Sequence, residues 1–263
     1  MKARSKIKVS LVGEIRRRSQ EGLTMTEVCC ALAALALLMM VALPALATSK
    51  ARSQRLLCAN NLSRIGIANA MWGADNNNLR PMMVPYWEGG LQTSGNVGTP
   101  PGTPPWPWGA LNNQAWFHYY WLSNELITPK LLVCPSDSVK RPAVDWGHLP
   151  SGGFLHAANR GNALSYIVAH TYSESDRGLV SADRNLPYTI LSTSCSYGFQ
   201  GMRGITPGGA VSGWLSLGQG VLHTPEGNLL FKDGSVEQVD SFALARMFSA
   251  TNWSPGTVHF LVP

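Results

Sequence analysis

Residues 28–47 read VCCALAALALLMMVALPALA, a run with no charge and no strongly polar side chain. About 20 apolar residues in a helix are what it takes to cross the hydrocarbon core of a bilayer. It is the one stretch of this kind in the chain, so the fold has to be built around a single membrane-crossing helix. Pro44 sits inside the run and removes one backbone hydrogen bond, which predicts a kink or local loosening over residues 40–44.

Charge orients the helix. The chain carries 21 basic and 15 acidic residues, a formal +6. Most of that excess lies in residues 1–22, where Lys2, Arg4, Lys6, Lys8, Arg16, Arg17 and Arg18 face only Glu14 and Glu21. The remainder is close to neutral, and it lacks the many simultaneous Lys and Arg contacts on which phosphate-backbone binding depends. Nucleic acid is therefore not an expected partner. Lys50, Arg52 and Arg55 follow the apolar run, but the leader cluster is denser. By the positive-inside tendency the N-terminus stays in the cytoplasm and the longer C-terminal part is exported. An ordinary secretory signal has a shorter apolar core with a small-residue cleavage site behind it. Ala45, Ala47 and Ser49 imitate such a site, and a cut after Ala47 is the competing reading.

At the other edge of the run stands a lone carboxylate, Glu27. So close to hydrocarbon it is costly without a partner charge, which makes it a functional candidate; the plain alternative is an interfacial carboxylate with no partner. The segment Gly22-Leu23-Thr24-Met25-Thr26-Glu27 resembles the type IV prepilin cleavage and methylation motif. It departs from that motif at Leu23, where a bulky aromatic is usual, and at Thr26, where an aliphatic residue is usual. The resemblance implies that a prepilin peptidase cuts between Gly22 and Leu23, that the new N-terminus is methylated, and that Glu27 pairs with the N-terminus of a neighbouring subunit. Such pairing would neutralise a buried charge that one chain could not hold alone.

Beyond the membrane, Cys58, Leu62, Ile65, Ala68 and Trp72 recur at spacings of three and four and fall on one face of a helix. The anchor, residues 23–47, is thus expected to continue as an amphipathic helix over 48–78, stopped by Asp75-Asn76-Asn77-Asn78. Residues 79–263 form the exported globular domain. Within it, the Gly/Pro/Ser/Thr-rich segment 89–109 reads as an irregular surface loop. Short β-prone stretches occur at 188–191, 229–231 and 236–239. Asp233-Gly234, between the last two, predicts a two-residue type I′ hairpin with both positions left-handed. The expected fold class is α+β, a long N-terminal helix packed on an antiparallel β-sheet.

His223 is separated by nine residues from Asp233-Gly234. Together with Cys58-Ala59-Asn60-Asn61-Leu62-Ser63-Arg64-Ile65-Gly66, Leu132-Val133-Cys134-Pro135-Ser136-Asp137, Ser165-Tyr166-Ile167 and Ala182-Asp183-Arg184, this is similar to a large bacterial family of pilin-like proteins with a C-terminal H-x9-DG signature. The resemblance implies a pilin-like fold and a pilin or pseudopilin subunit of a type IV pilus or type II secretion-like system. Its partners would be a prepilin peptidase, other pilin or pseudopilin subunits and an inner-membrane assembly platform. The chain would cross the inner membrane once, with its domain in the periplasm or in an extracellular fibre. Because Cys58 and Cys134 lie in family-like phrases, the resemblance also implies a disulfide between them. Cys29 and Cys30 act as small apolar residues in the span, and Cys195 is left over. No two cysteines outside the span have the short paired spacing of zinc modules.

Three readings of His223 and Asp233 remain. In the structural one, Asp233 and Gly234 make the turn and His223 hydrogen-bonds across it or stacks on a ring. In the second they hold a metal, with calcium the one cofactor considered; in the third they are an anchored hydrolase's catalytic pair, which would need a hydrogen-bonded partner and a substrate pocket. No Gly-x-Ser-x-Gly, His-Glu-x-x-His or phosphate-loop pattern occurs, so neither an enzyme nor a bound cofactor is expected. Nine tryptophans are many for this length. Trp87, Trp116 and Trp121, beside Tyr86, Tyr119 and Tyr120, suit a core; Trp106 and Trp108, in the Pro/Gly loop, suit a contact face for a partner or a sugar. Hence the alternative function, an anchored protein that does not polymerise and uses its Trp-rich domain to capture polysaccharide or another ligand.

Overall fold

The computed structural model describes residues 24–85, 88–91, 114–171, 178–193, 202–206, 208–209, 211, 213–215, 222–223, 225–249 and 258–263. The chain divides into two units, 1–48 and 49–263. Helix α1, Met25–Asp75, is continuous over 51 residues with Pro44 inside it. A proline deletes one hydrogen bond of the ladder, and the flanking turns can carry the helix on; the expected loosening over 40–44 does not end it. In the first unit every described side chain is exposed. This helix is the one, among the described residues, long and apolar enough to cross a membrane.

The second unit is α+β. In its part of α1, the residues picked out by spacing, Cys58, Leu62, Ile65, Ala68 and Trp72, are all buried. The helix ends where the asparagines begin. Asn77 and Asn78 take left-handed φ of 55° and 59°, and the Asn78 amide donates to the Gly73 carbonyl at 2.8 Å. That bond closes a Schellman-type end with asparagine in the place more often held by glycine.

Among the described residues, seven strands form one sheet: β1 (Tyr166–Thr171), β2 (Leu179–Asp183), β3 (Ile190–Thr193), β4 (Met202–Ile205), β5 (Glu226–Phe231), β6 (Val236–Asp240) and β7 (Val258–Leu261). The order is β3-β4-β7-β1-β2-β5-β6, and every pairing is antiparallel. Alternate residues serve two separate apolar clusters. Tyr166, Val180, Leu230 and Leu261 join the cluster containing the α1 face and helix α2 (Ala115–Trp121). Ile167, Leu179, Leu229 and Phe260 join another with Leu244 and Phe248 of α4 (Ser241–Ser249). The sheet is thus covered on both faces. A short turn of helix, α3 (Ser123–Leu126), follows α2.

The hairpin differs from expectation. Gly234 has φ 82°, whereas Asp233 is not left-handed. The Gly234 amide donates to the Phe231 carbonyl and the Phe231 amide to the Ser235 carbonyl, both at 3.0 Å. This is a three-residue loop, a type I turn followed by one left-handed glycine, rather than type I′. The aspartate is better used as an acceptor: its Oδ1 takes the Ser235 amide at 2.8 Å and the Ser235 hydroxyl at 2.6 Å, a bond compatible with right-handed backbone.

Candidate functional site

Two groups of residues carry the chemistry, and each is built locally by its sequence. The first is at the start of α1. The Thr24 amide and hydroxyl both donate to Glu27 Oε2 at 2.8 Å, and the Glu27 amide donates back to Thr24 Oγ1 at 3.3 Å. This is a capping box, in which a threonine and a glutamate three residues later satisfy helix-end donors reciprocally. Glu27 therefore has a local partner that its position at the edge of the apolar run does not reveal. The Thr24-x-x-Glu27 pattern before an apolar run is the signal that finds it. Gly22 and Leu23 lie outside the described residues.

The second group lies in the domain, where the scattered family-like phrases meet. Cys58 on α1 is disulfide-bonded to Cys134, and the Nε2 of His223 lies 3.1 Å from the Cys134 sulfur. Three residues on, Asp137 is anchored by Arg184, whose Nε donates to Oδ2 at 2.7 Å and Nη2 to Oδ1 at 3.1 Å. The Ser165 hydroxyl adds a bond of 2.8 Å to Oδ2. The neighbouring Asp183 accepts from the amide and the side-chain Nδ2 of Asn228 at 2.8 and 2.9 Å. Asn228 lies inside the nine-residue interval between His223 and Asp233, so that interval holds β5 to β2 by side chain as well as by ladder. Arg55 on α1 completes the set with an ion pair to Glu226.

Burial sets the electrostatics. It would push the Asp137 carboxyl up, but hydrogen bonds from Arg184 and Ser165 and the guanidinium charge hold it below its ordinary value. Asp183 has no such cation. Burial pushes it up to about 7 against the two Asn228 hydrogen bonds. For His223, burial and then the Arg55 charge pull the imidazole down to about 4, so at neutral pH the ring is uncharged beside the sulfurs. A carboxylate clamped by a guanidinium, a carboxyl whose neutral form burial favours and a histidine seated on a disulfide make a polar brace across the core.

His223 and Asp233 serve different places. The imidazole is at the disulfide, not across the hairpin or on a ring, and Asp233 bonds within its own turn. Sequence reasoning meets Asp137, Asp183 and Arg184 only as parts of family-like phrases, without their partners, and passes over Asn228. The signal available was the charge in otherwise apolar phrases, since a buried charge is kept only with a partner. Trp116 and Tyr119 are buried as expected. The Tyr119 hydroxyl donates to the Ile167 carbonyl at 2.8 Å, and burial raises its pKa far above the ordinary value. Tyr120 and Trp121 are half-buried. Tyr86, Trp87, Trp106, Trp108 and Cys195, with most of segment 89–109, lie outside the described residues. No protein family, curated protein or solved structure matches this chain.

Proposed function

We propose that the chain is a pilin-like subunit, a pilin or pseudopilin of a type IV pilus or type II secretion-like system, which acts by assembly and not by catalysis. The observation that carries this reading is the single uninterrupted helix α1. Its first part presents apolar side chains with no cover of their own; its last part contributes Cys58, Leu62, Ile65, Ala68 and Trp72 to a folded core. An uncovered apolar segment suits bundling with like helices, and a segment built into a core suits carrying a folded domain. In this reading residues 1–22 are removed by a prepilin peptidase. The exposed Leu23 amine then meets Glu27 of a neighbouring subunit, competing with Thr24 for the carboxylate. Assembly takes place on an inner-membrane platform.

The test is intact-mass and N-terminal analysis of the protein recovered from membranes of a host that has its own prepilin peptidase. A mature chain beginning at Leu23, with or without an added methyl, is expected. A retained leader, or a cut after Ala47, would remove the pilin reading and leave an anchored or secreted binding protein.

A further inference from the structure

The sulfur atoms of Cys58 and Cys134 and a ring nitrogen of His223 lie within 4.8 Å of one another, and all three residues are buried. The disulfide alone does not call for the histidine, whose backbone is held at φ 38°, a left-handed conformation that a histidine adopts at a cost. Strain of this kind persists where the surroundings require one particular placement of a side chain, and here the placement brings the Nε2 onto a sulfur.

We propose that the thiol form of this cluster is a metal site, in which the Cys58 and Cys134 thiolates and the His223 imidazole bind one thiophilic d10 ion, Cu(I) or Zn(II). Two thiolates and an imidazole are the soft donor set that selects these ions over calcium or magnesium. Three ligands in a closed pocket, with 0%, 0% and 7% of each residue exposed, fit three-coordinate Cu(I), which needs no water in its shell; Zn(II), ordinarily four-coordinate, would have to add a fourth donor. The thiol form arises before the exported chain is oxidised. It also arises when a dithiol reductant gives two electrons and two protons to the disulfide and becomes a disulfide itself. On binding, each thiol releases its proton to solvent as the metal–sulfur bond forms. The same residues would then lock α1 to the domain in either state, by a covalent bond or by a metal, and a newly exported chain would not depend on oxidation to close its core.

The test uses the full chain in detergent micelles, with Cys29 and Cys30 changed to Ala to remove competing thiols. The disulfide is reduced with a phosphine, which leaves as its oxide with the oxygen of a water, and the excess is removed under anaerobic conditions. Zn(II) and Cu(I) are titrated in separate arms. One ion per chain by native mass spectrometry, together with a rise in the Tm of the reduced protein, is expected in at least one arm. His223→Ala should weaken that binding by more than the roughly 10–100-fold that loss of an outer ligand partner costs. The melt of its oxidised form shows whether the variant folds, and His223→Cys, which restores a third donor, should recover binding. The proposal is overturned if the reduced chain binds neither ion better than the Cys58→Ser/Cys134→Ser variant. It is equally overturned if His223→Ala binds as tightly as the parent, or if the bound ion leaves the melt unchanged.

Discussion

At the scale of residues, the two acidic positions with the clearest partners lead to different tests. Glu27 caps its own helix through Thr24 and is proposed to pair with a neighbouring N-terminus; substitutions separate the roles. Glutamine can serve in a capping box but carries no charge, whereas alanine loses both functions. Glu27→Gln should therefore keep the helix start and still abolish sedimentable fibre in a host that processes the chain; Glu27→Ala should lose the fibre and in addition the capping box that holds the first turn. Fibre formation by the glutamine variant would end the charge-pairing role. Asp137 has 0% of its side chain exposed and Arg184 has 11%, so removing one partner leaves an uncompensated charge indoors. Arg184→Ala is expected to destabilise the domain by about 3–5 kcal/mol in urea unfolding. Replacing both, as Asp137→Leu with Arg184→Met, should cost much less, because no orphaned charge remains. Equal losses in the two variants would mean that the pair acts through packing and not charge.

At the scale of elements, what could be read beforehand follows from how far each signal reaches along the chain. The inward face of α1 is legible because its buried residues repeat every three or four positions, and its stop is legible because asparagines tolerate left-handed backbone. Strands β1 and β2 are not, since both their faces are covered and no alternation of polar and apolar residues survives burial on two sides. Helix α4 is short, with only Leu244 and Phe248 buried; its local mark is Asp240, whose Oδ1 accepts the Ala243 amide at 2.6 Å. The partner of His223 is illegible for a plainer reason, because Cys134 is 89 residues away. The hairpin between β5 and β6 is intermediate. Its place is marked by Asp233-Gly234, while its type depends on loop length, which the dipeptide alone does not set. The two turn types predict different tolerances. With only Gly234 left-handed and nothing within 4 Å of an added Cβ there, Gly234→Ala should cost about 1–2 kcal/mol from backbone strain alone. Asp233→Ala loses the exposed Ser235 bonds without a backbone-strain term, and should cost less than Gly234→Ala, about 0.5 kcal/mol. A type I′ turn would show comparable strain penalties for Ala at both positions in the same thermal or urea measurement.

At the scale of the whole molecule, a sheet covered on both faces takes titratable groups indoors with it, and stability then depends on pH through those whose pKa burial moves. Asp183, fully buried on β2, is moved by burial from its ordinary 3.8 up to about 7. Burial favours its protonated form in the fold. In the unfolded chain it ionises near pH 4, so its contribution is fully present below that pH and is lost as pH rises towards 7, at about 1.4 kcal/mol for each unit. His170 works in the opposite direction. Burial and then the Arg80 charge pull it down to about 3, and stability is lost as pH falls from about 6.5 towards 3. Between pH 4 and 6.5 His170 and His223 oppose Asp183, so the parent's profile does not display the Asp183 contribution by itself. Asp183→Asn removes that contribution and leaves the histidines'. Whatever fixed cost the new amide carries beside Asn228 is the same at every pH and drops out of the comparison. Measured by urea unfolding, the variant should therefore gain roughly 3 kcal/mol relative to the parent between pH 4 and pH 7. Parallel profiles for the two proteins over that interval would mean that Asp183 is ionised in the fold, and that the brace between β2 and β5 is held by a carboxylate and not by a neutral acid.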